Sequence, residues 1–165
     1  CGAKAILRQR KSLIPYLYNC AYNSVENDVP MQAPPYIYYN DENIDVNTDA
    51  FMLGRDVLAK CVLDEGVTQV SVYLPKGDDW YLNETGKLYC GASTVKVDLP
   101  SDKPVPYFIR CGSVFPVDEG DCSYKSAEKV VFTVYPVKNG KFTARYFNDD
   151  GESFEYLKNN CVKLM

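Results

Sequence analysis

Two adjacent carboxylate pairs, Asp78-Asp79 and Asp149-Asp150, have the residue type and spacing from which acid–base chemistry is built. Such pairs work when their surroundings push the two pKa values apart, leaving one group to give a proton and the other to take it. Both pairs lie in turn sequences, Lys76-Gly77-Asp78-Asp79 and Asn148-Asp149-Asp150-Gly151, where Asp bonds nearby backbone and stays solvated. A structural role is expected for each. The second turn has the look of a calcium loop, but the first ligand position falls on Tyr146 and the twelfth on Leu157, so that pattern fails. Trp80 and Tyr81 are candidates for substrate contact, because aromatic faces stack on pyranose rings. A lone Trp beside Leu82 more often packs in a core, and packing is expected here. Arg110 could hold a substrate carboxylate, although an ion pair at a domain interface is the expected role.

The chain contains no histidine, which removes Ser-His-Asp and Cys-His nucleophilic catalysis and any zinc site that needs imidazole. Gly-x-Gly-x-x-Gly and Gly-x-x-x-x-Gly-Lys are absent as well, so no cofactor or metal is expected, and carboxylates are the only plentiful catalytic groups left. Seven cysteines without a Cys-x-x-Cys pair suit free thiols in a reducing compartment, and a cytoplasmic location is expected. Asn83-Glu84-Thr85 is a formal glycosylation sequon of little weight. Acidic residues outnumber basic ones, 22 to 18, which argues against nucleic acid or an anionic membrane as partner. No apolar run approaches the ~20 residues of a membrane span.

The elements that must position these residues read mainly as β. Residues 4–25 show helical spacing (Ile6, Leu7, Leu13, Ile14, Leu17, Ala21, Val25), with Pro15 expected to kink the helix. Tyr36-Ile37-Tyr38-Tyr39 reads as a strand, and Asn40 to Thr48 as a polar loop. Phe51 to Leu53, Val57 to Ala59, Val67 to Leu74 and Trp80 to Leu82 are short apolar segments bounded by turns. In Ser93 to Leu99, Val95, Val97 and Leu99 alternate with Thr94, Lys96 and Asp98, the pattern of a half-buried strand. Tyr107-Phe108-Ile109 is confined between Pro104, Pro106 and Pro116. Val130 to Tyr135 and Phe142 to Phe147 are expected to pair across Asn139-Gly140, with Asp150-Gly151 turning into Phe154-Glu155-Tyr156. The polar stretch 117–126 is the expected boundary between this meander and the sheet before it.

Six motifs in order along nearly the whole chain resemble glycoside hydrolase family 31, the α-glucosidase and α-xylosidase family. Leu13-Ile14-Pro15-Tyr16-Leu17-Tyr18 looks like its Leu-Leu-Pro-Tyr-Leu-Tyr helix, and Val29-Pro30-Met31 fits the segment that follows. Phe51-Met52-Leu53-Gly54 with Val57-Leu58-Ala59, and Val72-Tyr73-Leu74-Pro75-Lys76-Gly77 with Trp80-Tyr81, resemble the next two family runs. Pro106-Tyr107-Phe108-Ile109-Arg110-Cys111-Gly112-Ser113 resembles Pro-x-Phe-x-Arg-x-Gly-Ser. Tyr146 to Ser153 resembles the Asp-Asp-Gly motif of the distal C-terminal domain. Gln32-Ala33-Pro34 departs from the family's Arg-Pro-Leu, and Cys61 stands where Pro is usual.

The resemblance implies a mainly β chain: residues 1–28 like the last helix of a (β/α)8 barrel, 29–116 a proximal antiparallel β-sandwich, and 117–165 the start of a distal β-domain. It also implies that the nucleophile and acid/base carboxylates precede this stretch, so the segment is expected to be inactive alone. The parent would hydrolyse α-glucosides with retention, using two carboxyl groups ~5 Å apart. The missing barrel would be the partner, oligosaccharide would be met only through the parent, and the N-terminal helix could self-associate without the barrel. The alternative is a stand-alone carbohydrate-binding β-sandwich, which has no use for that helix.

Overall fold

A computed structural model describes residues 2–99, 106–120, 129–137, 140, 144–149 and 161–164. Two helices, α1 (Gly2–Ser12) and α2 (Ile14–Asn27), precede twelve short strands among the described residues. Among the described residues all strand pairings are antiparallel. The mainly β fold read from the sequence is borne out. The chain forms two compact units, one of residues 1–10 with 32–111 and the other of residues 11–31 with 112–165.

In the first unit, β1 (Gln32–Ala33), β2 (Ala50–Leu53), β3 (Val57–Lys60), β5 (Trp80–Leu82), β6 (Leu88–Tyr89) and β8 (Phe108–Arg110) form a six-stranded sheet. Its order is β1-β2-β3-β8-β5-β6. A second sheet pairs β4 (Gln69–Leu74) with β7 (Ser93–Asp98). The expected alternation holds on β7: Val95 and Val97 point inward while Thr94, Lys96 and Asp98 face solvent. Val72 lies opposite Val95, so the inner faces of the two strands match. Met52, Leu58, Trp80, Leu82 and Phe108 from one sheet and Val72, Leu74, Val95 and Val97 from the other share one core. That common core makes the unit a two-layer sandwich.

Tyr36 to Tyr39 is not a strand. Pro35–Ile37 is a 3-10 turn, closed by Ile37 N–H to Pro34 O at 3.1 Å and Tyr38 N–H to Pro35 O at 3.1 Å. The fixed φ of Pro35 favours the turn, and the high β-propensity of three tyrosines does not overcome it. The turn carries the Tyr39 ring inward and leaves Tyr36 and Ile37 exposed.

In the second unit, α2 packs against β9 (Ser113–Asp118) and β11 (Ala144–Phe147). Strand β9 pairs with β10 (Val130–Tyr135), and β11 with β12 (Cys161–Leu164). Among the described residues β10 does not pair across Asn139-Gly140 as expected. Asn139, the Asp150-Gly151 turn, Phe154 to Tyr156 and Pro104 lie outside the described residues. Pro116 does not end its strand either. It sits inside β9 opposite Phe132, a position open to proline where the ladder does not call on its N–H. Val117 and Asp118, expected to open a loop, are the last residues of β9.

Pro15 separates two helices instead of kinking one. The break falls at Leu13, and Pro15 occupies the first turn of α2, where its missing N–H would have had no partner anyway. The buried face of α2 is Pro15, Tyr16 and Cys20, whereas Ile6, Leu7, Ile14 and Val25 of the expected stripe are exposed. The Tyr16 ring meets Phe115 at 4.4 Å, which explains the choice: an aromatic pair buries more area than an aliphatic contact.

Candidate functional site

Strands β5 and β8 lie side by side, with Trp80 paired to Arg110, and this register gathers most of the sequence candidates. The Trp80 indole is fully buried, its Nε1–H directed at Pro75 O 3.4 Å away. It therefore has no face to offer a sugar, and its role is packing. Tyr81, the next residue, is half-buried, and burial pushes its phenol pKa up, with Cys111 and Asp79 adding to the rise.

Arg110 does form an ion pair, and the partners among the described residues, Asp56 and Asp78, lie in its own unit. Its Nε–H and Nη2–H both donate to Asp56 Oδ1, at 3.0 and 2.7 Å, and Nη1 stands 3.7 Å from Asp78 Oδ1. Burial alone would weaken the charge on the guanidinium; Asp56 and Asp78 outweigh it and raise the pKa. Asp78 in turn accepts the Tyr39 hydroxyl at 2.9 Å through Oδ2, and the Tyr39 ring lies 5.8 Å from that of Trp80. Burial first, then the Asp78 charge, raises the Tyr39 pKa, which keeps the phenol a donor.

Asp79 accepts the Gly91 N–H at 3.1 Å, and its own carbonyl takes the Cys111 N–H at 2.8 Å. Gly91 is required here. A Cβ at this position would collide with the carbonyl oxygens of Asp78 and Pro75. Asp78 and Asp79 thus bind the β5 turn to its neighbours, the structural role expected of them. In the second unit, Asp149 accepts the Tyr18 hydroxyl at 2.7 Å; its neighbour Asp150 lies outside the described residues. Asn83 of the sequon is also committed: its side chain accepts the Tyr107 N–H at 2.8 Å and its backbone N–H donates back to Tyr107 O at 3.0 Å.

Sequence reasoning missed Asp41, which it placed in a polar loop. Asp41 is buried, and its carboxylate accepts from Tyr73 O–H (2.7 Å), Lys76 N–H (2.8 Å), and the backbone N–H and side-chain amide of Asn43 (3.1 and 3.2 Å). Burial acts to raise its pKa, but the four donors prevail and push it down to about 2. One signal for it is local. Asp41-Glu42-Asn43 and Asp45-Val46-Asn47 repeat the Asx-turn pattern, and both turns form. Among the described residues, no group of three or more His, Cys, Asp or Glu is placed to hold a metal ion.

These carboxylates are acceptors in a scaffold, and the scaffold has relatives. Residues 28–115 match the glycosyl hydrolase family 31 C-terminal domain. The chain belongs to glycoside hydrolase family 31, as its motifs suggested. It is 31% identical over 160 residues to a probable glucan 1,3-alpha-glucosidase of Arabidopsis thaliana and 32% identical over 162 residues to neutral alpha-glucosidase C of Mus musculus. Those matches take in 94% and 93% of this chain but 17% and 18% of the relatives. A family 31 dextranase of Flavobacterium johnsoniae, solved with glucose, superposes with a TM-score of 0.82 at 26% identity, over 94% of this chain and 20% of that one. The chain thus spans about a fifth or less of the length of these proteins.

Proposed function

We propose that this chain is the non-catalytic C-terminal β-portion of an α-glucosidase-like glycoside hydrolase, whose (β/α)8 barrel performs retaining hydrolysis of α-glucosides. The observation that carries the reading is the extent of the match: the C-terminal domain of the family aligns, and some four-fifths of each relative lies elsewhere. Hydrogen bonding inside the first unit supports it, because Asp41, Asp56, Asp78 and Asp79 are all engaged as acceptors there. In this reading residues 1–28 are the last barrel helix, 29–116 the proximal sandwich and 117–165 the start of the distal domain. The segment stabilises the barrel by packing, and oligosaccharide reaches it only through the parent. Apolar residues left exposed on α1 (Ile6, Leu7) and α2 (Ile14) serve as barrel contacts, or as self-association contacts when the barrel is absent. Exposed cysteines outside any disulfide, Cys61 and Cys90, suit a reducing compartment, and a cytoplasmic location is part of this reading. Among the described residues no helix is long and apolar enough to cross a membrane.

The test is an assay of the purified chain with maltose and p-nitrophenyl α-glucoside. No glucose release is expected; turnover abolished by a single Asp→Asn substitution would overturn the reading. The gene upstream of Cys1 supplies a second check. An open frame with barrel strands supports the proposal, whereas a start codon with a signal peptide favours a stand-alone carbohydrate-binding module.

A further inference from the structure

The second unit holds a groove of about 340 Å³ along the last two turns of α2. Its wall is aromatic: Tyr22 stacks on Phe147 at 3.9 Å with 6° between the planes, and Tyr18 tilts against the same ring at 5.7 Å. The Phe147 N–H donates to Asn19 Oδ1 at 3.1 Å, fixing β11 to the helix, and Tyr18 O–H donates to Asp149 at 2.7 Å. Val25 supplies an aliphatic rim that is 80% exposed, and among the described residues Glu26 and Asp149 are the ionisable groups other than tyrosine in the lining, Asp149 already engaged by Tyr18.

Charge and shape both select the occupant. The carbonyl end of a helix carries partial negative charge, and chains ordinarily offset it with Lys or Arg. Here the last turn of α2 has no basic residue, carries Glu26, and is capped by Asp28. Aromatic faces add a π surface that attracts cations. A small inorganic cation would leave the apolar lining unused, and a pyranose would find one face of Tyr22 already covered by Phe147. An amphipathic cation uses both features: its methylene stem lies on Val25 and the rings, and its head meets Glu26.

We propose that this groove receives a basic side chain, arginine above all, from the part of the longer polypeptide outside these residues. The source rests on the functional reading above, since some four-fifths of each relative lies elsewhere. The cation preference rests on the groove alone.

The test titrates the 165-residue chain with Nα-acetyl-arginine methylamide, its neutral citrulline counterpart and maltose, following the ring resonances of Tyr18 and Tyr22. Arginine is expected to bind about tenfold more tightly than citrulline, the advantage of a charge-assisted over a neutral contact. E26Q, at an exposed position that leaves the fold intact, is expected to shrink that advantage severalfold. Absence of arginine binding, equal binding of citrulline, tighter binding of maltose, or an unchanged ratio in E26Q would each overturn the cation site. A photo-crosslinker at Val25 in the full-length polypeptide is expected to capture an Arg- or Lys-bearing segment of the same chain. Capture of a segment without a basic residue, or of another protein, ends this inference while leaving the functional reading intact. A gene with no barrel ends the functional reading and the source with it, and the titration then judges the groove by itself.

Discussion

In the unit of residues 1–10 and 32–111, Trp80, Met52, Leu58, Leu74 and Phe108 are sealed between two sheets. In the unit of residues 11–31 and 112–165, the Phe115 ring is fully buried, but Ile14 keeps 51% and Val25 80% of their surface in solvent. The difference follows from geometry. Two sheets facing each other close their own core from both sides. A helix laid on two-stranded ribbons buries one face and leaves its other apolar residues waiting for a surface. Polar groups divide in the same way: the first unit turns its acids inward onto Tyr73, Lys76, Tyr39 and Arg110, while the groove of the second presents Glu26 at the surface. The closed core of the sandwich does not cover every apolar residue of its unit, since Ile6, Leu7, Val46 and Leu63 stay exposed, and exposed apolar positions in both units suit the supporting role proposed above.

If the first unit is self-contained, the largest loss should come from its centre. Trp80→Ala is expected to destabilise by about 3–5 kcal/mol in denaturant titration, the range for deleting a large buried aromatic. A cost under 1 kcal/mol would mean that the sheets do not share that core. Gly91→Ala comes next, at about 3 kcal/mol, because backbone carbonyls must move to admit the methyl group.

Asp41→Asn should cost about 2 kcal/mol, since a neutral amide leaves buried donors poorly met. The substitution also changes the acid limb. The folded-state pKa of Asp41 is depressed to about 2, so its contribution is complete above the ordinary carboxylate range and fades as pH falls toward 2. Stability curves of wild type and Asp41→Asn should therefore approach one another below about pH 4 and converge only as pH falls through about 2, and curves that stay parallel would remove Asp41 as the hub.

Arg110→Lys should cost about 1 kcal/mol, because an ammonium cannot copy the two contacts to Asp56 and the pair, about a quarter exposed, is partly screened. In the second unit Val25→Ser should change stability by less than about 0.5 kcal/mol, as at other exposed positions. It should still lower the tendency of the chain to self-associate, read by sedimentation. A large stability loss there would show that the second unit is as closed as the first.

Much of the first unit was legible. Trp80 to Leu82 and Ser93 to Asp98 were readable because turn residues bound them and apolar positions repeat every second residue. Tyr36 to Tyr39 misled, since β-propensity reports fit to a pleated surface and Pro34-Pro35 had already set the backbone. Asp41 was invisible as a hub because Tyr73 and Lys76 lie more than 30 residues further along. The helical stripe was visible, but the side of α2 that turns inward was not. Periodicity marks an apolar face without naming its partner, and Tyr16 won through Phe115.

From the residues alone came the missing histidine, the family motifs in their order, and strands whose bounds are local turn chemistry. Tertiary structure alone decided that β8 lies between β3 and β5, that Arg110 answers Asp56 and Asp78, and that Asp41 gathers four donors. Those outcomes depend on contacts between positions far apart in the chain, whose energies appear only when burial removes competing water.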